Sequence, residues 1–312
     1  MMLTHFPRQP GRRIALKQLA GIAAVSAMTG IDAAPAPQNQ LRRAIPRTGE
    51  WLPAIGLGTW QTFDVEGHAA DRALARETLR LFVEAGGKLI DSSPMYGSSE
   101  AMVGDLAAEL GVQPALFLAT KVWTTGREQG IEQMQTSARR LRSQKIDLMQ
   151  VHNLVDLQTH LKTLRNWKEQ GRIRYFGFTH YTVGAHRELA ALIKKEQPDF
   201  VQFNYSIATR DAERELLPVA AENKTAVLIN RPFEGASLFQ AVRCKPLPPW
   251  AAVIDGASWA QFFLKYIVSH PAVTCAIPAT HDPKHLVDNM QGGVGRLPDE
   301  KMRQRMVAWL NP

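Results

Sequence analysis

Short runs of β-branched and aromatic residues alternate with longer amphipathic segments from Trp51 nearly to the end of the chain. The amphipathic segments place apolar residues three or four positions apart, a spacing typical of helices packed on a core, as in Leu157, Leu161, Leu164 and Trp167. The pattern predicts eight strands, at residues 55–58, 88–91, 116–120, 146–151, 173–178, 200–203, 226–230 and 273–277. It predicts helices that include residues 71–85, 128–142, 157–170, 183–196, 211–223, 258–269 and 300–310.

Strands that alternate with helices indicate an α/β fold with a parallel sheet, and eight such units favour a (β/α)8 TIM barrel. The rival is a doubly wound sheet, which usually has a G-x-G-x-x-G turn after its first strand. Residues 56–61 here lack that pattern. Residues 44–51, with Thr48 and Gly49 between extended runs, predict an N-terminal β-hairpin before the first barrel strand.

Residues 1–40 have the pattern of an export signal and leader, so we assign the barrel to residues 41–312. Arg12 and Arg13 precede a weakly apolar stretch, residues 18–28, as in a twin-arginine signal. An ordinary secretory signal and a basic helix are the alternatives. We expect export through the twin-arginine translocation machinery to the periplasm or a similar location, either with cleavage or with an uncleaved membrane anchor. The mature part is not expected to span a membrane.

The formal net charge of +8 raises the question of nucleic-acid binding. Residues 1–34 hold four basic residues and one acid, which leaves 33 basic and 28 acidic residues in the body. No basic run with interleaved aromatics occurs there, so we expect no nucleic-acid partner. Two cysteines, Cys244 and Cys275, rule out a disulfide framework but leave a single bridge or a buried thiol open. No spaced ligand set predicts a metal.

Polar residues stand at the ends of three consecutive predicted strands. Asp91 ends the second strand and Tyr96 lies in the loop after it, while Lys121 and His152 follow the third and fourth strands. Each alone has a structural explanation, as a turn cap, a half-buried aromatic or a polar rim residue. Because the carboxyl ends of barrel strands converge over the pore, the four together predict a catalytic group.

These residue types suit the reduction of a carbonyl, which needs a proton donor beside the oxygen that gains charge. A tyrosine hydroxyl has a pKa near 10, and the Lys121 ammonium is expected to lower the pKa of Tyr96, with Asp91 keeping the lysine charged. A neutral His152 imidazole would hydrogen-bond the carbonyl and orient it. A glycoside hydrolase would need two facing carboxylates, and Asp91 has no evident partner.

Several segments resemble the aldo-keto reductase superfamily, over essentially residues 54–289. They are residues 56–60, 91–97, 120–121, 147–153, 177–180, 202–205 and 277–280, together with Asn289. The resemblance implies a barrel that binds NADP(H) without a Rossmann domain and transfers hydride from NADPH to a small-molecule aldehyde or ketone. It implies that Tyr96 is the general acid, that Asp91 and Lys121 support it, and that His152 orients the substrate.

The resemblance also implies a cofactor site at the strand ends and in the loops that follow them. Two segments differ from the common pattern: Thr179-His180 replaces a serine–asparagine pair, and Asn230 replaces an aromatic residue that stacks on nicotinamide. Arg231 has three open interpretations, as a ligand of the pyrophosphate, a ligand of an anionic substrate, or a rim charge. The implied cofactor residues are Gly58, Thr59, Asp91, Thr179, His180, Gln202, Asn230, Arg231, Phe233, Thr280, Lys284, His285 and Asn289.

The choice between NADP(H) and NAD(H) depends on the segment after the last strand. Many NADPH-dependent relatives carry a lysine and an arginine that hold the 2′-phosphate, where this chain has Ala279 and His285, with Lys284 adjacent. A guanidinium binds phosphate better than these replacements, so NAD(H) stays an alternative to NADP(H). Free N–H groups at the helix start after Thr280 are expected to favour the phosphate or adenine end of the cofactor.

Trp60, Phe63, Trp123 and Asn153 are the expected substrate residues, on loops after early strands. An apolar wall suits an aromatic or aliphatic carbonyl, and we expect about two of the four to contact it. NADPH belongs to the cytoplasm, so export implies a tightly held nucleotide carried out with the protein. The alternative function is an exported barrel that binds a nucleotide or another ligand without turnover, which the unusual Asn230 and Ala279 favour.

Overall fold

Residues 40–310 are described by the computed structural model, and they form a parallel eight-stranded barrel preceded by an antiparallel hairpin. The hairpin pairs β1 (Arg42–Ala44) with β2 (Trp51–Pro53). The barrel strands are β3 (Leu57–Gly58), β4 (Leu89–Asp91), β5 (Phe117–Val122), β6 (Ile146–His152), β7 (Ile173–Thr179), β8 (Phe200–Asn204), β9 (Ala226–Asn230) and β10 (Cys275–Ala276). The helices are α1 (Ala69–Glu84), α2 (Ser99–Leu110), α3 (Arg127–Arg140), α4 (Leu157–Glu169), α5 (His186–Glu196), α6 (Leu216–Glu222), α7 (Ser237–Ala241), α8 (Trp259–Val268), α9 (Pro283–Gln291) and α10 (Glu300–Leu310).

The predicted (β/α)8 architecture is confirmed, with neighbouring strands paired in chain order from β3 to β10. The differences are at element ends and in helices that the sequence pattern does not predict. Helix α6 begins only at Leu216, after a separate short turn at Asp211–Glu213. Helix α2 lies outside the predicted set, because small residues such as Gly104 and Ala107 weaken its apolar periodicity.

The barrel closes where β3 meets the segment around β10. Parallel bridges join Ile55 to Ala276 and Gly58 to Ala279, and the Gly58 N–H donates to the Pro278 carbonyl oxygen at 3.0 Å. A Cβ at Gly58 would stand only 2.8 Å from the Ile277 carbonyl oxygen. Glycine is therefore required at this seam for the two backbones to approach.

Inward-facing positions change character along the barrel axis. Near the amino ends of the strands they form an apolar cluster that includes Leu89, Phe117, Leu148 and Phe200. Successive inward side chains on a strand are two residues apart, and the inward residues become polar two positions further on in β4, β6 and β8 and four positions further on in β5. This switch puts the polar residues at the carboxyl ends, where the barrel opens.

The hairpin covers the amino end of the barrel. Ile45 and Leu52 are buried in the same apolar cluster as the lower strand residues. The Tyr175 hydroxyl donates to Glu50 Oε2 at 2.6 Å, which joins the hairpin to β7. The described chain begins on the same side, where the Leu41 N–H donates to the Gly293 carbonyl oxygen at 2.7 Å.

The predicted export signal and leader, residues 1–40, lie outside the described residues except for Gln40. In the part of the chain that is described, no helix combines the length and the apolar character needed to cross a membrane. Within residues 40–310, no three histidine, cysteine or carboxylate side chains cluster as metal ligands would. Cys244 is exposed and Cys275 is buried, and both are free thiols, so the single-bridge alternative is ruled out.

Candidate active site

A buried ion pair lies at the centre of the carboxyl-end opening. Lys121, at an inward position of β5, is fully buried and donates to Asp91 Oδ2 at 2.6 Å and to the Ser92 carbonyl oxygen at 2.7 Å. Burial acts to lower the pKa of Lys121, but the charge of Asp91 and the neighbouring Tyr96 outweigh it, so its pKa is raised. The lysine is therefore held as an ammonium in the interior.

Tyr96 lies beside this ammonium, with Lys121 Nζ 4.8 Å from the centre of its ring. Burial raises the pKa of Tyr96, the Lys121 charge and hydrogen bond lower it, and Asp91 raises it; the net direction is upward. The expected lowering by Lys121 is present, but the loss of hydration outweighs it, so the net pKa shift of Tyr96 is upward. Tyr96 thus carries its proton at neutral pH.

His152, at the end of β6, completes the group of four. Its Nδ1 lies 3.1 Å from Ser93 Oγ, and its ring makes an edge contact with Tyr96, at 5.9 Å between centroids. Burial first, and then the positive charge of Lys121, lower the pKa of His152 to about 2. The imidazole is consequently neutral, as expected.

An amide network continues from Asp91 across the opening. Gln150 and Gln202 both donate to Asp91 Oδ1, at 3.1 and 2.9 Å. Gln202 Oε1 in turn accepts from Thr179 at 3.2 Å and from Asn230 at 3.3 Å. Gln150 is absent from the predicted site, although it precedes His152 by two positions and so shares its inward face, a signal that the sequence does contain.

Gly58 and Thr59, expected at the cofactor, have internal roles in this structure. Gly58 lies at the barrel seam, and Thr59 is fully buried. The Thr59 hydroxyl lies 3.1 Å from the Asp91 carbonyl oxygen and 3.0 Å from Ser92 Oγ. These contacts fix the carboxyl end of β4, and with it the carboxylate that pairs with Lys121.

Aromatic side chains surround the mouth of the barrel. Trp60 and Trp123 are 46% and 42% exposed, and Tyr181, which the sequence prediction omits, is 48% exposed. Phe63 is fully buried in the main apolar core, so the expectation that it lines the substrate pocket is wrong. Its loop makes a turn, in which the Phe63 N–H donates to the Thr59 carbonyl oxygen at 3.1 Å, and the local sequence does not reveal that the ring enters the core. Asn153 follows His152 with a left-handed backbone, φ 51°.

In the loop after β9, the side chains of Arg231 and Phe233 have different surroundings. Arg231 has φ 50°, is exposed, and has its guanidinium carbon 6.0 Å from the Tyr181 ring centre. Tyr181 stacks on His180 at 5.5 Å. Phe233 instead packs on Phe239, at 4.8 Å between centroids, so its side chain contributes to an aromatic cluster beneath the loop.

The start of α9 differs from its expected form. Asp282 Oδ1 accepts the backbone N–H of Lys284 at 2.7 Å and that of His285 at 3.4 Å, so these N–H groups are not free for a phosphate. Thr280 Oγ1 accepts the Asp282 N–H at 3.0 Å. The Lys284 and His285 side chains are exposed, whereas Asn289 is buried on the inner face of α9.

Comparison with known proteins places the chain in a family. The model of the Aldo/keto reductase family matches residues 54–306. Aldo-keto reductase YhdN of Bacillus subtilis is 30% identical over 204 residues, which is 60% of each protein, so the chain spans less than two thirds of that relative. Methylglyoxal reductase YeaE of Escherichia coli is 29% identical over 245 residues, 76% of this chain and 84% of the relative.

Solved structures show the same architecture. An aldo/keto reductase from Klebsiella pneumoniae in complex with NADP and acetate has a TM-score of 0.71 and 26% identity, covering 85% of this chain and 93% of that one. The thermostable aldo-keto reductase Tm1743, in complex with the inhibitor epalrestat, has a TM-score of 0.71 and 25% identity, covering 86% and 99%. From its fold, its site and a match that spans most of its length, the chain belongs to the aldo/keto reductase family.

Proposed function

We propose that the protein reduces an aldehyde or ketone to an alcohol with NADPH, and that Tyr96 is the general acid. The observation that carries this proposal is the buried Lys121 ammonium, held by Asp91 and placed 4.8 Å from the Tyr96 ring. Burying this ion pair costs free energy of desolvation. The buried ammonium offsets that cost functionally, because it stabilises negative charge that develops on the neighbouring Tyr96. A barrel that only binds a ligand has no need of that arrangement.

The residues at the opening fit a nicotinamide cofactor. Asn230 Oδ1 is buried and has no hydrogen-bond partner in the described chain, so a ligand amide could supply the missing donor. Gln202 is a second amide beside it, and Lys284 and His285 are the exposed polar side chains that we assign to the phosphate end. NADP is bound in the Klebsiella pneumoniae structure, which is 26% identical to this chain.

In this proposal the bound NADPH supplies the hydride that the carbonyl carbon accepts. His152, neutral because its pKa is about 2, donates a hydrogen bond that orients the carbonyl oxygen. Tyr96 gives its proton to that oxygen as negative charge develops, and Lys121 stabilises the tyrosinate that remains. Asp91 keeps Lys121 charged throughout.

The mouth favours carbonyl compounds with an apolar or aromatic body. Trp60, Trp123 and Tyr181 expose large ring surfaces around the opening, and Met95 is 40% exposed on the loop that carries Tyr96. Apolar walls with few polar groups bind such compounds through buried area and leave orientation to His152 and Tyr96.

The purified protein tests this proposal directly. We expect it to bind NADPH and to oxidise it in the presence of aromatic or aliphatic aldehydes, with slower turnover of ketones, as followed by nicotinamide absorbance. NADH in parallel reports cofactor preference, and omission of the carbonyl is the control. Nucleotide binding without any turnover across the panel would favour the ligand-binding alternative, and neither binding nor turnover would contradict both.

We further propose that the protein is exported by the twin-arginine route with its nucleotide bound. Arg12 and Arg13 ahead of a weakly apolar stretch support this, and that route carries folded proteins. We expect lysine at both positions to retain the protein in the cytoplasm, whereas Arg8→Lys leaves export intact, as measured by fractionation and by nucleotide released from each fraction. Export of the double variant would instead indicate an ordinary secretory signal.

A further inference from the structure

Ser93 is absent from the predicted site, yet its hydroxyl is hydrogen-bonded to the catalytic imidazole. We propose that Ser93 donates to His152 Nδ1 and thereby fixes the imidazole proton on Nε2, the tautomer that can donate to a carbonyl oxygen. The inference rests on the proposed function, since it assigns a positioning residue for the same reaction.

The contact leaves two arrangements open. Ser93 and His152 are both buried, with Oγ and Nδ1 3.1 Å apart. The imidazole is neutral, because burial and the Lys121 charge hold the pKa of His152 at about 2. A neutral imidazole has one N–H and one acceptor nitrogen, so Nδ1 either accepts the serine proton or donates its own.

The surroundings of Ser93 favour the first arrangement. Its Oγ already lies 3.5 Å from the Met95 N–H, which donates to it. Within residues 40–310, His152 Nδ1 is the hydrogen-bond partner that can accept the Ser93 proton. If Nδ1 carried a proton itself, the Ser93 hydroxyl hydrogen would be buried without an acceptor, which is costly.

The ring is also held against rotation. Tyr96 packs edge-on against it, with an interplanar angle of 85°, and the Trp123 ring lies 6.4 Å away on a tilted plane. A ring flip would exchange Nδ1 for carbon at the serine and break the hydrogen bond. Ser93 and the two aromatic rings therefore fix both the tautomer and the orientation of His152.

The consequence concerns charge at the reacting oxygen. With the proton on Nε2, His152 donates to a carbonyl oxygen that gains negative charge; with the proton on Nδ1, Nε2 would present a lone pair and repel it. By its hydrogen bond to Nδ1, Ser93 thus favours the tautomer of His152 in which Nε2 carries the proton and can donate to the substrate oxygen.

Nitrogen NMR of histidine-labelled protein reads the tautomer without relying on activity. We expect long-range ¹H–¹⁵N spectra to show His152, identified by its loss in His152→Gln, as the Nε2–H form. Ser93→Ala should give a mixture of both forms, and Ser93→Thr should restore the Nε2–H form. Ser99→Ala, which removes an equally buried hydroxyl that contacts the Thr59 carbonyl oxygen, should leave the His152 signals unchanged.

Kinetics provide the second readout. We expect Ser93→Ala to lower kcat/KM about tenfold, with unchanged NADPH affinity, and to have no further effect in a His152→Gln background, as for directly coupled residues. Ser93→Thr should recover most of the loss. A wild-type Nδ1–H spectrum, or an Ser93→Ala spectrum identical to wild type, would overturn the inference. Failure of the protein to bind nucleotide or reduce any carbonyl would overturn the proposed function and leave the tautomer result standing.

Discussion

Tyr96→Phe is expected to lower kcat for carbonyl reduction by about 10²–10⁴-fold, the range typical of a lost general acid. The variant keeps the ring that packs against His152 and Lys121 and removes only the hydroxyl. NADPH affinity should therefore stay close to wild type. Stopped-flow or steady-state assays with the best aldehyde, together with nucleotide titration by fluorescence, measure the two quantities separately.

Tyr175→Phe is the matched control, because it removes a tyrosine hydroxyl at the closed end of the barrel, where it contacts Glu50 and Thr48. It should leave kcat unchanged and affect only stability. Equal losses in the two variants would indicate a general disturbance of the barrel, and unchanged turnover in Tyr96→Phe would show that another group delivers the proton.

Lys121→Met has the second large effect, and it acts on both stability and rate. The substitution leaves the buried Asp91 carboxylate without its ammonium, with Gln150 and Gln202 as its remaining amide donors. Removing one partner of a buried ion pair typically costs about 3–5 kcal/mol. We expect the free energy of unfolding in urea to fall by about that amount, and turnover to be lost with it.

The double variant Asp91→Asn/Lys121→Met separates the effect on stability from the effect on turnover. Without either charge, the double variant should be more stable than Lys121→Met alone, while remaining inactive. A single variant as stable as wild type would mean that Asp91 finds compensation elsewhere, and recovery of turnover in the double variant would contradict the role given to the lysine.

The barrel and the meeting of Asp91, Lys121 and His152 follow from periodicity, whereas Tyr96 lies in the loop after β4. Strands such as β5 and β6 alternate strictly, so Phe117 and Leu148 predict which face Lys121 and His152 share further along. Gln150 lies on the same face of β6, so the same alternation predicts that it also points into the barrel. Because the barrel strands are parallel, their carboxyl ends all lie at the open end of the barrel, and the sequence alone identifies those ends.

Loop residues escape that reasoning because their direction is set by distant contacts. Phe63 belongs to the core although its loop adjoins the mouth, and Ser93 meets His152 across 59 positions of sequence. Asp282 is an intermediate case: an aspartate directly before Pro283 is a familiar start of a helix, and it indicates that the first N–H groups are capped. Local rules identify such caps, but only the folded chain shows which side chains lie beside them.

The hairpin gives the barrel one sealed end and one open end, and the described chain starts at the sealed one, near Gly293. A linker to a solid support that is fused directly ahead of Gln40 would therefore join the barrel on the side away from Trp60 and Trp123. The opening at the carboxyl ends of the strands would then face away from the support. An amino-terminal linkage is consequently the orientation of choice for immobilising this protein on a surface.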